Sequence, residues 1–243
     1  MTMLAKEEGN YLLSTLPIDE FNRLKPHLQL VSMSYGEILY REREKLQYIY
    51  FPTTASFSLL CSLEDGSMIE VAGVGNEGAL GISVCLGNKG ALLNAAVQTS
   101  GYSFRLSAKL LQQEFSKNTA LWQHLMRYIH TLFLQISQTT ACNRRHTVEQ
   151  QLSRWLLLNF DRLRSCSLIS THEAISNLLG VRRESITDAA VKLQSAGMIN
   201  YSRGHIKIIN RAALENRACE CYTVMRKELE RFSCDLKIAT VLG

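Results

Sequence analysis

Residues 182–185 read Arg-Arg-Glu-Ser and open a stretch in which Ile186, Ala189, Ala190 and Leu193 recur at helical spacing. Two arginines at a helix N-terminus oppose the macrodipole, which favours anions there. Packing alone gives them no reason to be present. The chemistry open to them is hydrogen bonding to nucleic acid. An arginine forks onto the O6/N7 edge of guanine, and a glutamate accepts from the N4 amino group of cytosine. Arg183 and Glu184 are therefore expected at base edges, with Arg182 and Ser185 beside them.

That role needs a rigid mount, and the flanking text supplies one. Ser170 with Glu173 three positions on reads as a capping box. Ala174, Ile175, Leu178 and Leu179 follow at core spacing, and Gly180 closes the helix, with Val181 filling the angle to the next. Two short helices joined by a Gly-containing turn form a helix-turn-helix. "MINYSRGHIKII" (198–209) then reads as two strands around Arg203-Gly204, making the unit a winged helix. Arg203, His205 and Lys207 on the wing, and Thr171 and His172 at the first helix, are expected backbone contacts. Asp188, one turn beyond Glu184, is expected to pair with Lys192.

Charge is divided along the chain. Residues 144–243 hold 16 Lys and Arg against 10 Asp and Glu, whereas 1–143 hold 11 against 12, so the net +5 arises in the C-terminal part. A polyanion partner for that part follows. No apolar run is long enough to cross a bilayer, and the N-terminus carries acids where a secretory signal needs bases. A cytoplasmic protein with no membrane partner is expected. Seven cysteines in such a chain imply reduced thiols. Cys219-x-Cys221 with distant Cys234 lacks the spacing of a metal site, so no metal ligand is assigned.

The N-terminal part changes texture twice. Residues 11–30 space Leu13, Leu16, Phe21, Leu24 and Leu28 as short helices. From 35 to 106, "YIYFP", "SFSLLCSL", "MIEVAGV" and "NAAVQTSGYSFRLS" are strand-like, with a turn at "EDGS" (64–67). Such text predicts an antiparallel jelly roll. Beyond 107, Leu121, Leu125, Tyr128, Leu132 and Ile136 form a seam able to pair with a second copy, although one stripe packed on the same chain fits the spacing as well. The basic "CNRRH" (142–146) reads as a hinge, followed by the helical "VEQQLSRWLLLNFDRL". Gly73-x-Gly75-x-x-Gly78 matches a dinucleotide-binding pattern, but glycines replace the helix that must follow it. No catalytic residue is assigned, and the chain is not read as an enzyme.

With these motifs in place, the sequence resembles the CRP/FNR family of transcription regulators as far as about residue 216. "YGEILYRE", "YIYFP", "VGNEGALG" and "AAVQTSG" resemble its cyclic-nucleotide-binding-like barrel, and "LLGVRRESITDAAVKLQSAGMI" its recognition unit. The resemblance implies an α+β fold: an N-terminal antiparallel β jelly roll (1–117), a dimerisation helix and hinge (118–143) and a C-terminal winged helix-turn-helix (144–216); beyond the family's usual end, "CYTVMRKELERFSCDL" reads as an amphipathic helical extension (217–243). It implies a homodimer on a pseudo-palindromic duplex, with Arg183 and Glu184 matching the Arg-Glu pair that reads TGTGA-type half-sites. Asp188 stands where the cyclic-AMP receptor has another arginine. RNA polymerase is a further implied partner. The implied effector pocket comprises Glu77, Gly78, Ala79, Leu80, Leu93 and Asn94. Ala79 replaces the ribose-binding Glu, and Leu93-Asn94 replace the phosphate-binding Arg-Ser, so cyclic AMP is not the expected effector. The N-terminal cysteine cluster of iron–sulfur relatives is absent, and the effector, if the barrel is not a mere scaffold, is unknown.

Overall fold

A computed structural model describes residues 9–87, 90–115, 119–162 and 167–242, the side chains as far as Leu236. Asn118, where the dimerisation helix is expected to start, and Cys166 fall outside the described residues. The chain divides into two compact units, one of residues 1–59, 74–133 and 228–243, the other of 60–73 and 134–227.

In the first unit, α1 (Tyr11–Ser14) and α2 (Ile18–Leu24) bury Leu12, Leu13, Phe21 and Leu24. The helical text stops at Leu28; Gln29–Met33 form β1 instead, antiparallel to β7 (Gly101–Ser107), which also pairs with β3 (Tyr48–Pro52). The second sheet runs β2 (Ile38–Tyr40), β6 (Asn94–Thr99), β4 (Ser56–Ser62), β5 (Met68–Val74). Every strand read from the text between 48 and 107 is present, in two sheets of a jelly-roll type. Short helix α3 (Ala108–Phe115) leads to α4 (Ala120–Arg145). The Glu20 carboxylate accepts from the Ala120 and Leu121 amides at 2.9 and 2.8 Å, satisfying the first turn of α4.

The seam expected along α4 is turned inward. Leu121 and Leu125 are fully buried within the chain, and Tyr128 and Leu132 nearly so. Gly78 explains the register: a Cβ there would fall 2.3 Å from the Tyr128 ring, so only glycine admits it. Ile136, the last residue of the expected seam, is only half-buried and falls at the end of an outer stripe of Trp122, Met126, Ile129 and Phe133, with Phe133 71% exposed. The hinge also shifts. Residues 142–145 continue α4, where Arg144 and Arg145 suit a helix C-terminus. The chain breaks at His146–Thr147, before α5 (Val148–Arg162).

The second unit gathers α5, β8 (Leu168–Ile169), α6 (His172–Leu179), α7 (Arg183–Ser195), β9 (Ile199–Ser202), β10 (His205–Ile208), α8 (Arg211–Arg217) and the start of α9 (Glu220–Leu242). Their core includes Leu152, Trp155, Leu156, Ile175, Ile186, Leu193, Ile206 and Leu214. Strand order is β8-β10-β9, so "SLIS" supplies a third wing strand. Within the first unit, the later part of α9 packs on α4 through Phe232 against Tyr128 and Glu228 beside His130. Among the described residues, no helix is long and apolar enough to cross a membrane.

Candidate nucleic-acid interface

The bend between α6 and α7 depends on Gly180, which adopts φ +65 as the C-cap of α6 and bonds back to Asn177 and Ser176. A side chain is strained in that left-handed conformation. Val181 is drawn against the core, and α7 then starts at Arg183 with Arg182 as its N-cap. Arg182 contributes no side-chain hydrogen bond to the cap. Arg182, Arg183 and Glu184 are exposed, and among the described residues none of them is in a salt bridge. Ile186, Ala189, Ala190 and Leu193 hold the opposite face in the core. The first turn of α7 thus presents uncommitted donors and an acceptor to solvent.

The first helix is capped one residue later than its sequence suggests. Thr171, not Ser170, accepts from the Ala174 amide at 3.1 Å. Ser170 is buried, and its carbonyl takes the Tyr201 hydroxyl at 2.7 Å. Both types can cap; strand pairing decides, because the Ser170 amide bonds the Gly204 carbonyl of the wing. The Asp188–Lys192 pair is likewise not formed. Both side chains are exposed, where an ion pair has little net value to hold two flexible chains together.

On the wing, Arg203 and Gly204 form the tight turn with φ +49 and +79. Alternation along β10 buries Ile206 and exposes His205 and Lys207 on the other face. Thr171, His172, Arg183, Arg203 and Gly204 line a groove of about 410 Å³ between α7 and the wing. His172 is less free than expected. Its Nδ1 lies 3.1 Å from the Thr187 hydroxyl, and its ring meets Tyr201 edge-on at 4.5 Å. Its Nε2 is covered and has no hydrogen-bond partner among the described residues. Burial, then the charge of Arg183, hold its pKa below the usual histidine value.

The residues assigned to the effector pocket are mostly committed to backbone. Glu77 accepts from the Gly75 amide at 3.1 Å, and Asn94 from the Glu42 amide at 3.0 Å. Leu80 exchanges two backbone bonds with Tyr50, while the Ala79 side chain is buried. Leu93 is half-buried, and the Gly78 carbonyl accepts from Asn10 Nδ2 at 2.7 Å.

The cysteines depart most from expectation. Cys219 and Cys221 are buried and meet Cys142 and His146, which the spacing along the chain gives no reason to join to them; Cys234 is exposed and apart. No local pattern marks such a set, since Cys219 follows His146 by 73 positions.

The described residues thus comprise a two-sheet jelly-roll unit, a long helix and a winged helix whose α7 begins with exposed, basic side chains. Residues 150–217 match the sequence model of the Crp-like helix-turn-helix domain. This part of the chain therefore carries a Crp-like helix-turn-helix domain. A search of curated protein sequences found no significant match. Among solved structures, FixK2 from Bradyrhizobium japonicum is similar at TM-score 0.69 and 18% identity, over 79% of this chain and 98% of that one. The CRP-family regulator TTHB099 from Thermus thermophilus is similar at 0.64 and 20%, over 77% and 96%. CLP of Xanthomonas campestris, described as a c-di-GMP-responsive global regulator, is similar at 0.58 and 15%, over 78% and 98%.

Proposed function

We propose that this chain is a CRP/FNR-type transcription regulator that binds a pseudo-palindromic operator as a homodimer and is controlled by a small effector other than cyclic AMP. The carrying observation is the first turn of α7, where Arg182, Arg183 and Glu184 stand exposed and outside any salt bridge among the described residues, above a buried apolar face. In this reading α7 enters the major groove N-terminus first. Arg183 takes a guanine edge, Glu184 a cytosine amino group, and Arg182 and Ser185 lie alongside. Arg203, His205 and Lys207 on the wing hold phosphates on one side of the groove, and Thr171 and His172 on the other.

The dimer forms along the outer stripe Trp122, Met126, Ile129, Phe133 and Ile136. Its steps of four, three, four and three residues suit a coiled-coil seam. Ala79 and Leu93-Asn94 give a cyclic phosphodiester no charged partner, which supports a different effector. CLP, of the same fold, is described as c-di-GMP-responsive, which is consistent with a ligand other than cyclic AMP. Such a regulator acts in the cytoplasm, with RNA polymerase as its downstream partner.

The test is selection of bound sequences from random duplex DNA at ~150 mM salt, with wild type and Arg183→Ala. A palindrome with TGTGA-like arms is expected. The variant should lose roughly 1–3 kcal/mol at one base pair of each arm and relax its specificity there. An equal loss on every sequence would put Arg183 on phosphate instead. No enrichment without additives, restored by cell extract, would show that the effector is needed for binding.

A further inference from the structure

Four side chains with no part in the DNA-facing surface converge where α4 ends and α9 begins. The His146 amide bonds the Cys142 carbonyl at 3.0 Å, one helical turn back, while Cys219 and Cys221 flank Glu220, the first residue of α9. The four donor atoms all lie within 4.8 Å of one another. The Cys142 and Cys219 sulfurs are 3.5 Å apart, and the Cys221 sulfur is 3.5 Å from His146 Nδ1. A tetrahedral ion with sulfur at about 2.3 Å and nitrogen at about 2.0 Å needs its donors roughly 3.5–3.8 Å apart. We propose that Cys142, His146, Cys219 and Cys221 bind one zinc ion in a closed, four-coordinate site.

Three further observations point the same way. The first is the orientation of the imidazole. His146 turns Nδ1 to the sulfurs, while Nε2 lies 3.3 Å from the Glu220 carboxylate. A metal-bound histidine characteristically gives its other nitrogen to a carboxylate, which fixes tautomer and ring angle. The second is a donor aimed at sulfur: Gln138 Nε2 bonds the Cys221 sulfur at 3.1 Å, an arrangement that stabilises a thiolate.

The third is a charge imbalance. Arg154 is 3% exposed; among the described residues its guanidinium bonds Thr139 Oγ1 and the Met225 sulfur, and its Nε has no partner. Among the described residues it has no carboxylate partner. A buried cation of this kind needs a compensating charge nearby. Arg154 lies within electrostatic reach of Cys142, and three thiolates, a neutral imidazole and a dipositive ion sum to one negative charge, the sign it needs. Binding releases the thiol protons to solvent and changes no oxidation state.

A hard, oxygen-preferring cation does not suit this donor set, and the soft, compact Cys₃His arrangement selects zinc over magnesium or calcium. All four positions are filled by protein, so the site is structural. It would clasp the end of α4 to the start of the C-terminal extension, within the unit that carries the winged helix.

The experiment uses the full chain, purified under reducing conditions without chelator. Elemental analysis should find about one zinc per chain, as a closed site requires. Exchange for cobalt should give the intense visible bands of tetrahedral thiolate coordination. Replacing both Cys219 and Cys221 by Ser should abolish both signals, and Cys234→Ser should change neither. Glu220→Gln should weaken zinc about 10–100-fold in competition with a chromophoric chelator. Should the double variant not fold, the cobalt spectrum of the intact wild-type chain still decides. Reduced, folded wild type with substoichiometric zinc and no cobalt bands would overturn the site. So would a Cys142–Cys219 disulfide in metal-free protein, or iron with the absorption of a cluster.

Discussion

Arg203 sits at φ +49 in a turn that would suit glycine or asparagine better. Holding an arginine there costs roughly 1 kcal/mol, and the residue lines the groove beside Arg183. Arg203→Gly should therefore keep or slightly raise the melting temperature while weakening binding to all duplexes alike. A stability loss in thermal denaturation would instead mean that the side chain braces the wing. Histidines bring a pH dependence at this scale. Burial lowers the pKa of His124, whose Nδ1 donates to the Leu12 carbonyl at 3.3 Å, and lowers that of His172. The unfolded chain then takes up protons first, near pH ~6.5. Stability is complete above that value and falls as pH drops through it. Melting temperature should decline from about pH 7 to pH 5, and His124→Gln should flatten the decline. Single residues also show where sequence reading slips by one place. Ser170 and Thr171 are equally able to cap, and only the bond of the Ser170 amide to Gly204 assigns the role to Thr171.

Elements are more legible than their faces. Gly180, the apolar spacing of α7 and the Arg-Gly wing turn each have one structural solution, so the winged helix is readable from its letters. Helix α4 carries two adjacent apolar stripes, and spacing cannot rank them. The inner one is fixed by Gly78, whose bare backbone admits the Tyr128 ring; that approach is tertiary, and nothing in the helix's own letters announces it. The two stripes make opposed predictions. Phe133→Glu should convert the dimer to monomer in sedimentation velocity while leaving the fold intact. Leu125→Ala should leave association unchanged and cost about 2–5 kcal/mol of stability by opening a cavity. Dimers surviving Phe133→Glu would return the seam to another face. The thiol cluster is illegible for a related reason: its halves lie at the ends of α4 and α9, and only folding makes them neighbours.

At the scale of the molecule, the excess of positive charge lies after residue 143, in the part that carries the winged helix. Binding should weaken steeply with salt. If Lys207 neutralises one phosphate, Lys207→Gln should lower the slope of log affinity against log salt by about one. A loss confined to particular base pairs would contradict a phosphate role. A dimer seam along the outer stripe of α4, as proposed, has a consequence for the cell's arithmetic as well. Only paired chains can span two half-sites, and at concentrations below the dimerisation constant the paired species grows as the square of the chain concentration. In the proposed dimer, operator occupancy responds to gene dosage more sharply than a monomer's would, and a seam centred on the exposed Phe133 would set where that response begins.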